Sequence, residues 1–242
     1  GLAEACAAFN APVTGGNVSL YNQNPMGAID PTPTLALVGL VEKQEHITTQ
    51  WFKDEGDVII LLGDAVDAAD PNLGLGGSAY LMAKHDVKNG LPPRCDLKKE
   101  KAVQDLTLEC IRSGWIKSAH DCSEGGLAVC LAESCFSKNV ALNTPSFKGA
   151  KIDLSGVKSS RLDALLFGET QSRIVVSTSA DHAEQILAKA QAVSVQATVI
   201  GKVTGCCKAA TLDITTDAAS TLSWSIPALH SLWWNALAEI MD

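Results

Sequence analysis

The chain has 242 residues, of which 46% are hydrophobic and 19% charged. This composition is typical of a globular protein with one large domain or two small ones, and it excludes a mainly disordered chain. The net charge of -8 has the wrong sign for binding a nucleic-acid backbone. No apolar run approaches the ~20 residues that cross a bilayer, and no secretory leader is recognisable, so we expect a cytoplasmic protein.

Eight cysteines are spread along the chain, and the last two, Cys206 and Cys207, are adjacent. A chain of this length does not need a disulfide framework, so we expect reduced thiols. The sequence contains no C-x-x-C and no H-E-x-x-H pattern, which argues against a structural zinc site. The chain begins without methionine on a helical pattern, residues 1–9, so we expect that an upstream segment is missing.

The first predicted elements are that helix, which Pro12 ends, and a turn or ligand loop over residues 13–20. Residues 34–42 (TLALVGLVE) form a nearly continuous apolar run, which predicts a strand buried on both faces. Residues 58–62 (VIILL) predict a second such strand. The short polar stretch between the two runs places a domain boundary near residue 50.

Strands and helices alternate after this boundary. Helices are predicted over residues 78–84, 96–113, 126–137, 162–167, 181–191 and 226–241, and strands over residues 116–120, 173–177, 196–203 and 211–215. Asp181 is predicted to cap the helix that it begins. Residues 51–242 therefore predict one mixed α/β layered domain.

Three aspartates, Asp64, Asp67 and Asp70, follow the predicted VIILL strand. Carboxylates in a loop can bind a divalent cation. The spacing is not the alternating D-x-D-x-D of a calcium loop and lacks its final glutamate, so we interpret these residues as a solvated loop.

The first candidate site is the loop of residues 14–22 (TGGNVSLYN). Glycine pairs such as Gly15 and Gly16 allow backbone N–H groups to approach a phosphate closely. The amide oxygen of Asn17 suits magnesium, and Ser19 adds a short polar arm. The loop lacks the G-K-[ST] ending of a Walker A loop, so its spacing leaves an ordinary turn and a nucleotide loop both open.

The second candidate is the segment of residues 118–127, where a strand is followed by a helix, as at many ligand sites of α/β proteins. Asp121 and Glu124 also form a D-x-x-E capping pattern, so a structural role and a ligand role both stay open. We expect His120 and Asp121 to point to opposite faces of a strand. For that reason, and because no G-x-S-x-G occurs, a hydrolytic triad is not expected.

The third candidate is the pair Glu169 and Gln171, which we expect to share one face of extended backbone. An acid and an amide placed in this way could together bind a ligand or a metal-bound water. The closing helix carries an apolar stripe that includes Trp233, with Trp234 beside it. Core packing is the simpler interpretation of that stripe, and docking on a missing partner domain is the alternative.

Six segments occur in an order that resembles the synthetase subunits of phosphoribosylformylglycinamidine synthase. They are PVTGGNVSLYNQ, PTPTLALVGLVE, GDVIILLGD, LGLGGSAYL, HDCSEGGLAVCLAE and FGETQSRIVVS, and the resemblance runs from about residue 11 to residue 203. It implies an α+β fold like that of AIR synthetase. Residues 1–50 would be the truncated end of an N-terminal-type domain, and residues 51–242 a complete C-terminal-type layered domain.

The resemblance implies a ligase of de novo purine biosynthesis that converts formylglycinamide ribonucleotide, ATP and glutamine-derived ammonia to formylglycinamidine ribonucleotide. By the same resemblance Gly16 would contact ATP, Asn17 would bind Mg²⁺ and Ser19 would bind the substrate. The catalytic residues would lie in an N-terminal half that this chain lacks, so we expect the chain alone to be inactive. A glutaminase subunit or domain and that N-terminal half would be its partners.

The segments around Asp121 and around Glu169 and Gln171 would form an auxiliary nucleotide or metal site. The sequence departs from the family pattern in LGLGGSAYL, where Ala79 stands in place of a glutamate. Two alternatives stay open: another ATP-dependent enzyme of the AIR synthetase superfamily, and a non-catalytic module for nucleotide binding or docking.

Overall fold

The computed structural model describes residues 1–19, 21–136, 146–217 and 220–241. The chain divides into two compact units, Gly1–Ile47 and Thr48–Asp242. The assignment of residues 1–50 to the end of a separate domain type stays a prediction. No helix in the described ranges is long and apolar enough to span a bilayer.

The first unit contains little regular structure. Helix α1 (Leu2–Phe9) confirms the predicted opening helix and ends at Asn10, whose φ of 51° is left-handed. Strands β1 (Gln23–Asn24) and β2 (Gly27–Ala28), which were not predicted, pair as a short antiparallel hairpin. A single 3₁₀ turn covers Gln44–His46.

The strand predicted over residues 34–42 is absent from the structure, and that prediction was wrong. The segment has no regular secondary structure, and Leu37 and Val38 are 83% and 100% exposed. A strand requires neighbours that pair with its backbone N–H and C=O groups. No described strand pairs with this segment, so its apolar character alone cannot make it a strand.

The second unit is built on a seven-stranded mixed sheet. Its strands are β3 (Val58–Leu62), β4 (Ile116–Asp121), β5 (Lys148–Asp153), β6 (Ile174–Thr178), β7 (Ala197–Cys206), β8 (Thr211–Asp217) and β9 (Ser220–Ser225). They lie in the order β4-β6-β3-β7-β5-β8-β9. All neighbours are antiparallel except β5 and β8, which are parallel.

Helices cover both faces of this sheet. They are α2 (Ala79–His85), α3 (Leu97–Arg112), α4 (Gly126–Ser134), α5 (Leu162–Phe167), α6 (Ala180–Ala192) and α7 (Ile226–Met241). One hydrophobic cluster joins the sheet to α3 and α6, and the other joins it to α4, α5 and α7. This arrangement confirms the predicted layered α/β fold.

Strand β3 lies between the two clusters and is buried along its whole length. Ile59 and Leu61 point into the α4 side, whereas Val58, Ile60 and Leu62 point into the α3 side. Alternate residues of a strand face opposite sides of a sheet, which explains why a continuous apolar run is needed here.

The other elements follow the predictions with three differences. Strands β5 and β9 were not predicted, because lysine and serine residues interrupt their apolar patterns. Asp181 is not the cap of α6: Ser179 occupies the N-cap position, and Asp181 lies within the first turn. The helix predicted over residues 126–137 ends at Ser134, and residue 137 lies outside the described residues.

Candidate functional site

The glycine loop of the first unit is exposed. Gly15, Gly16, Asn17 and Ser19 are all solvent-exposed and have no regular secondary structure, and Leu20 lies outside the described residues. Gly16 has a φ of 155°, which side chains rarely allow, so the backbone itself requires glycine at this position. A Cβ atom built at Gly15 or Gly16 meets nothing within 4 Å, so the space beside the loop is open.

In the second unit, the three residues predicted as an auxiliary site lie together. Asp121, Glu169 and Gln171 all line one cavity of about 450 Å³. Strands β4 and β6 are antiparallel, with Asp121 opposite Ile174, so the end of β4 meets the segment that enters β6. Long-range strand pairing therefore brings residues from two distant motifs to one place.

His120 lies between two carboxylates next to this cavity. Its Nε2 is 2.9 Å from Oε2 of Glu133, and its Nδ1 is 3.6 Å from Oδ1 of Asp121. Burial disfavours protonation of the ring, but the hydrogen bond with Glu133 and the charges of Asp121 and Glu133 outweigh this effect and raise the pKa of His120 to about 9. The imidazole is therefore a cation at neutral pH.

The contact between His120 and Asp121 corrects the prediction that these neighbours point to opposite faces. Asp121 is the last residue of β4, where the regular alternation of side chains ends. Its carboxylate also accepts a hydrogen bond from the Ser123 hydroxyl. The nearby imidazolium of His120 lowers the pKa of Asp121 against the opposing effect of burial, so this carboxylate stays ionised.

Glu169 joins the beginnings of two helices. Its Oε1 accepts hydrogen bonds from the backbone N–H of Ala79, the first residue of α2, at 2.8 Å, and from that of Gly125, the N-cap of α4, at 3.0 Å. A carboxylate at a helix N-terminus satisfies backbone donors and interacts favourably with the helix dipole. The local D-x-x-E pattern of Asp121 and Glu124 does not supply this cap: the distant Glu169 accepts the hydrogen bond from the N–H of Gly125.

Gln171 reaches the cavity through a turn and not along extended backbone. Its Nε2 donates to the backbone oxygen of Glu169 at 3.0 Å, and Ser172 has a left-handed φ of 63°. Strand β6 begins only at Ile174. The prediction that Glu169 and Gln171 share one face of a strand was therefore wrong, although both residues line the same cavity.

Arg173 is a further residue of this cavity that the sequence analysis did not single out. Its guanidinium is buried and donates to the backbone oxygens of Thr170 at 2.8 Å, Ala65 at 3.1 Å and Gly168 at 2.6 Å. These partners are neutral backbone carbonyls, so Arg173 adds a buried guanidinium to the lining of this cavity. The only sequence signal was an arginine placed directly before an apolar strand.

A neighbouring cavity of about 550 Å³ shares Gln171 and Ser172 with the first and is lined by both acidic and basic side chains. The aspartate loop contributes Asp64 and Asp67 to its lining, and Oδ2 of Asp64 is 3.1 Å from Nζ of Lys99. Asp67 and Asp70 accept hydrogen bonds from backbone N–H groups of their own loop, at Ala69, Asn72 and Gly74. Among the described residues, no three His, Cys, Asp or Glu side chains converge as metal ligands.

Helix α7 is only partly packed. Its buried residues are Ile226 and His230, whereas Leu237 and Ile240 are 75% and 82% exposed. Trp233 lines an apolar groove of about 400 Å³ between α7 and α4. Core packing therefore accounts for the first half of the predicted stripe, and docking of the second half on a partner stays a prediction.

A family model for the C-terminal domain of AIR synthase related proteins matches residues 54–212. The chain belongs to this family. The matched range covers the sheet from β3 into β8 and contains Asp121, Glu169 and Gln171.

Proteins that are 37–48% identical to this chain are considerably longer than it. A protein named phosphoribosylformylglycinamidine synthase subunit PurL from Cyanothece sp. is 48% identical over 187 residues, which are 75% of this chain and 23% of that protein. The protein of the same name from Moorella thermoacetica is 37% identical over 241 residues, which are 100% of this chain and 30% of that protein. The chain thus spans less than a third of the length of these relatives.

Solved structures agree on the fold. The Thermotoga maritima PurL complexed with FGAR has a TM-score of 0.59 at 20% identity, with 77% of this chain and 30% of that chain covered. The same protein complexed with ATP gives 0.55 at 19% identity, with 77% and 27% covered. At this level of identity the likeness establishes the fold.

Proposed function

We propose that the chain is the C-terminal part of the synthetase subunit of phosphoribosylformylglycinamidine synthase. The whole enzyme would join ammonia, released from glutamine by a glutaminase, to formylglycinamide ribonucleotide at the expense of ATP, in de novo purine biosynthesis. The observation that carries the proposal is the 48% identity with a PurL subunit over 187 residues. Such an enzyme would work in the cytoplasm, on small molecules.

The glycine loop would bind the reactants together with groups from the upstream half of the enzyme. Gly16 would contact ATP, Asn17 would provide an oxygen ligand to Mg²⁺, and Ser19 would hold the substrate. The exposed loop and the open space beside Gly15 and Gly16 are compatible with a bound phosphate. When bound, ATP and Mg²⁺ supply the phosphoryl group and charge stabilisation that make an amide carbon electrophilic.

The cavity of Asp121, Glu169 and Gln171 would bind a second nucleotide or its cation. Its chemistry is suitable, because Asp121 stays ionised and the hydrogen bonds to Ala79 and Gly125 fix the carboxylate of Glu169. Carboxylate oxygens are preferred ligands of Mg²⁺, which shares the rest of its shell with phosphates and waters. The buried charge of Arg173 would offset part of the negative charge of the phosphates.

The proposal is tested by complementation. The isolated chain is expected to form no amidine from formylglycinamide ribonucleotide, ATP and ammonia, and addition of the upstream part of a PurL subunit is expected to restore turnover. In the restored enzyme, Asn17→Ala should reduce turnover and raise the Mg²⁺ concentration needed for half-maximal rate. Gln44→Ala, a change of an exposed amide in the same unit but outside the glycine loop, should leave both unchanged. Turnover by the isolated chain would contradict the proposal.

The second candidate function is a non-catalytic nucleotide-binding module that serves assembly with the glutaminase. The cavity favours this candidate, because all its lining residues belong to the second unit, which has its own core. Equilibrium binding of ADP to the isolated chain separates the two. Binding that survives Asn17→Ala but is lost in Asp121→Ala supports the module, and binding lost only in Asn17→Ala supports the catalytic loop.

Another ATP-dependent enzyme of the AIR synthetase superfamily is the remaining alternative. A panel of amide, amine and hydroxyl substrates given to the complemented enzyme would identify it, because such an enzyme would consume ATP without formylglycinamide ribonucleotide.

A further inference from the structure

Two adjacent cysteines lie where strand β7 turns toward β8. Cys206 is the last residue of β7, and Cys207 begins the turn that Ala210 closes by donating its N–H to the Cys207 oxygen at 3.0 Å. Both side chains are exposed, and their Sγ atoms are 2.8 Å apart. The two sulfurs are thus in contact and open to solvent.

The backbone holds the sulfurs in this position. Cys206 is paired with Lys148 of β5, and the N–H of Cys207 donates to the oxygen of Phe147 at 3.4 Å. Cys207 has a φ of 84°, a left-handed value that is rare outside glycine and that the surrounding hydrogen bonds must maintain. The close approach therefore follows from the sheet and the turn.

The other described cysteines lack either full solvent exposure or contact with a second thiol, and Cys6 is only half-exposed. Cys110, Cys122, Cys130 and Cys135 are buried, and burial alone raises the pKa of Cys135. Cys95 is exposed, and no second thiol is among its hydrogen-bond partners in the described structure.

We propose that Cys206 and Cys207 form a redox-active dithiol that a peroxide converts to a vicinal disulfide. The Cys206 thiolate attacks one oxygen of hydrogen peroxide, which forms a sulfenic acid and releases hydroxide. The Cys207 thiol then attacks the Cys206 sulfur, and the sulfenic oxygen leaves as water with the thiol proton. Both sulfurs are oxidised by one electron each, and one peroxide is reduced to two waters.

The order of the two steps follows from the coupling of the thiols. The hydrogen bond to Cys206 and the charge of Cys206 raise the pKa of Cys207, which disfavours the Cys207 thiolate. Cys207 keeps its proton, lies beside the oxidised sulfur of Cys206 and reacts second, as the resolving thiol.

The resulting disulfide should be easily reduced. Consecutive Cα atoms are about 3.8 Å apart, below the roughly 4.4–6.8 Å that unstrained disulfides span. Strained and exposed disulfides have more oxidising potentials and belong to the labile, reversible class. The site is independent of the proposed synthetase function, since neither residue lines the cavity of Asp121 or belongs to the glycine loop.

Mass spectrometry after peroxide treatment tests the proposal on the full chain. Trypsin releases Cys206 and Cys207 in the peptide 203–208, between Lys202 and Lys208. In the wild type this peptide should lose the mass of two hydrogen atoms, resist iodoacetamide and regain both thiols with dithiothreitol. The peptide that contains Cys95 should show no such loss.

Two serine variants distinguish the thiol that reacts with peroxide from the thiol that closes the disulfide. Cys207→Ser should stop at the sulfenic acid of Cys206, which dimedone traps, and Cys206→Ser should consume peroxide at least about tenfold more slowly. Both positions are exposed, and an unchanged melting temperature checks that the variants fold. A wild-type peptide that gains oxygen on both sulfurs, or that stays fully alkylatable, would overturn the proposal.

Discussion

At the scale of single residues, Glu169 links two helices at the cavity, because one of its oxygens accepts hydrogen bonds at the beginnings of both α2 and α4. Glu169→Ala leaves two backbone donors without their partner and should lower the free energy of unfolding by about 2–3 kcal/mol. Glu169→Gln keeps an acceptor but not the charge and should cost about 1 kcal/mol. Urea denaturation measures both values.

Glu124→Ala is the matched control for this prediction. Glu124 is an exposed carboxylate on the rim of the same cavity, and its removal should change stability by less than about 0.5 kcal/mol. Equal losses in Glu169→Ala and Glu124→Ala would show that Glu169 does not cap the helices.

His120 predicts a pH dependence of stability. Its pKa rises from 6.5 in the unfolded chain to about 9 in the folded protein, so its stabilising contribution is fully present below pH 6.5. The contribution is lost as the pH rises through 9, because the folded state then releases its extra proton. The free energy of unfolding should fall by on the order of 2 kcal/mol across this range.

His120→Asn isolates this contribution from those of the other titratable groups. The variant should be less stable than the wild type at pH 6, and the two curves should converge by about pH 9.5. Parallel curves would mean that His120 is not protonated in the folded protein.

At the scale of secondary structure elements, the contact of β7 with β5 requires glycine at one position. A Cβ atom at Gly201 would lie 2.1 Å from the backbone oxygen of Lys151, so Gly201→Ala must push the two strands apart. The expected loss is about 2–3 kcal/mol of unfolding free energy.

Gly205, in the same strand, gives the opposite expectation. A Cβ atom there would lie 3.6 Å from the nearest atom, an oxygen of Glu55, which is an ordinary contact. Gly205→Ala should therefore be neutral or stabilise by up to about 1 kcal/mol through the unfolded chain. Similar thermal shifts in the two variants would contradict this account of the β5–β7 contact.

Strand prediction succeeded where a continuous apolar run is also buried on both faces in the structure. The run VIILL predicted β3 correctly, because both faces of that strand are covered. The run TLALVGLVE is just as apolar but forms no strand, since pairing depends on neighbours that a local pattern cannot supply. Strand β5 was missed for the opposite reason: Gly149 and two lysines hide a strand that long-range pairing stabilises.

The candidate site was predictable as a set of residues but not as an arrangement. Local patterns gave Asp121 and the pair of Glu169 and Gln171 as separate candidates, and only the family resemblance grouped them into one site; the structure places all three in the lining of one cavity. The capping of α2 and α4 by Glu169 links positions 90 and 44 residues apart, which no local pattern encodes. Arg173 also depends on a long-range contact, because one of its partners, the backbone oxygen of Ala65, lies 108 residues away in the sequence.

At the scale of the whole molecule, the two units differ in whether they contain a hydrophobic core. Every buried hydrophobic side chain among the described residues lies at or after Phe52, so residues 1–47 contribute no member to the two hydrophobic clusters. A chain of residues 48–242 should therefore fold and melt within a few degrees of the full chain. Differential scanning calorimetry measures this.

The two chains should differ in the apolar surface that they expose. Leu37, Val38 and Leu40 are more than four-fifths exposed. The full chain should accordingly bind more of the dye ANS and scatter more light at high concentration than residues 48–242. A large drop in melting temperature on truncation would instead show that the first unit supports the second.

The burial of β3 has a consequence for how the second unit opens. The side chains of its five residues pack alternately into the two hydrophobic clusters. Neither helix layer can therefore separate from the sheet without exposing side chains of this central strand. The unit should thus lose its layers in a single cooperative transition, and the amide protons of Val58–Leu62 should be among the last to exchange with deuterated solvent.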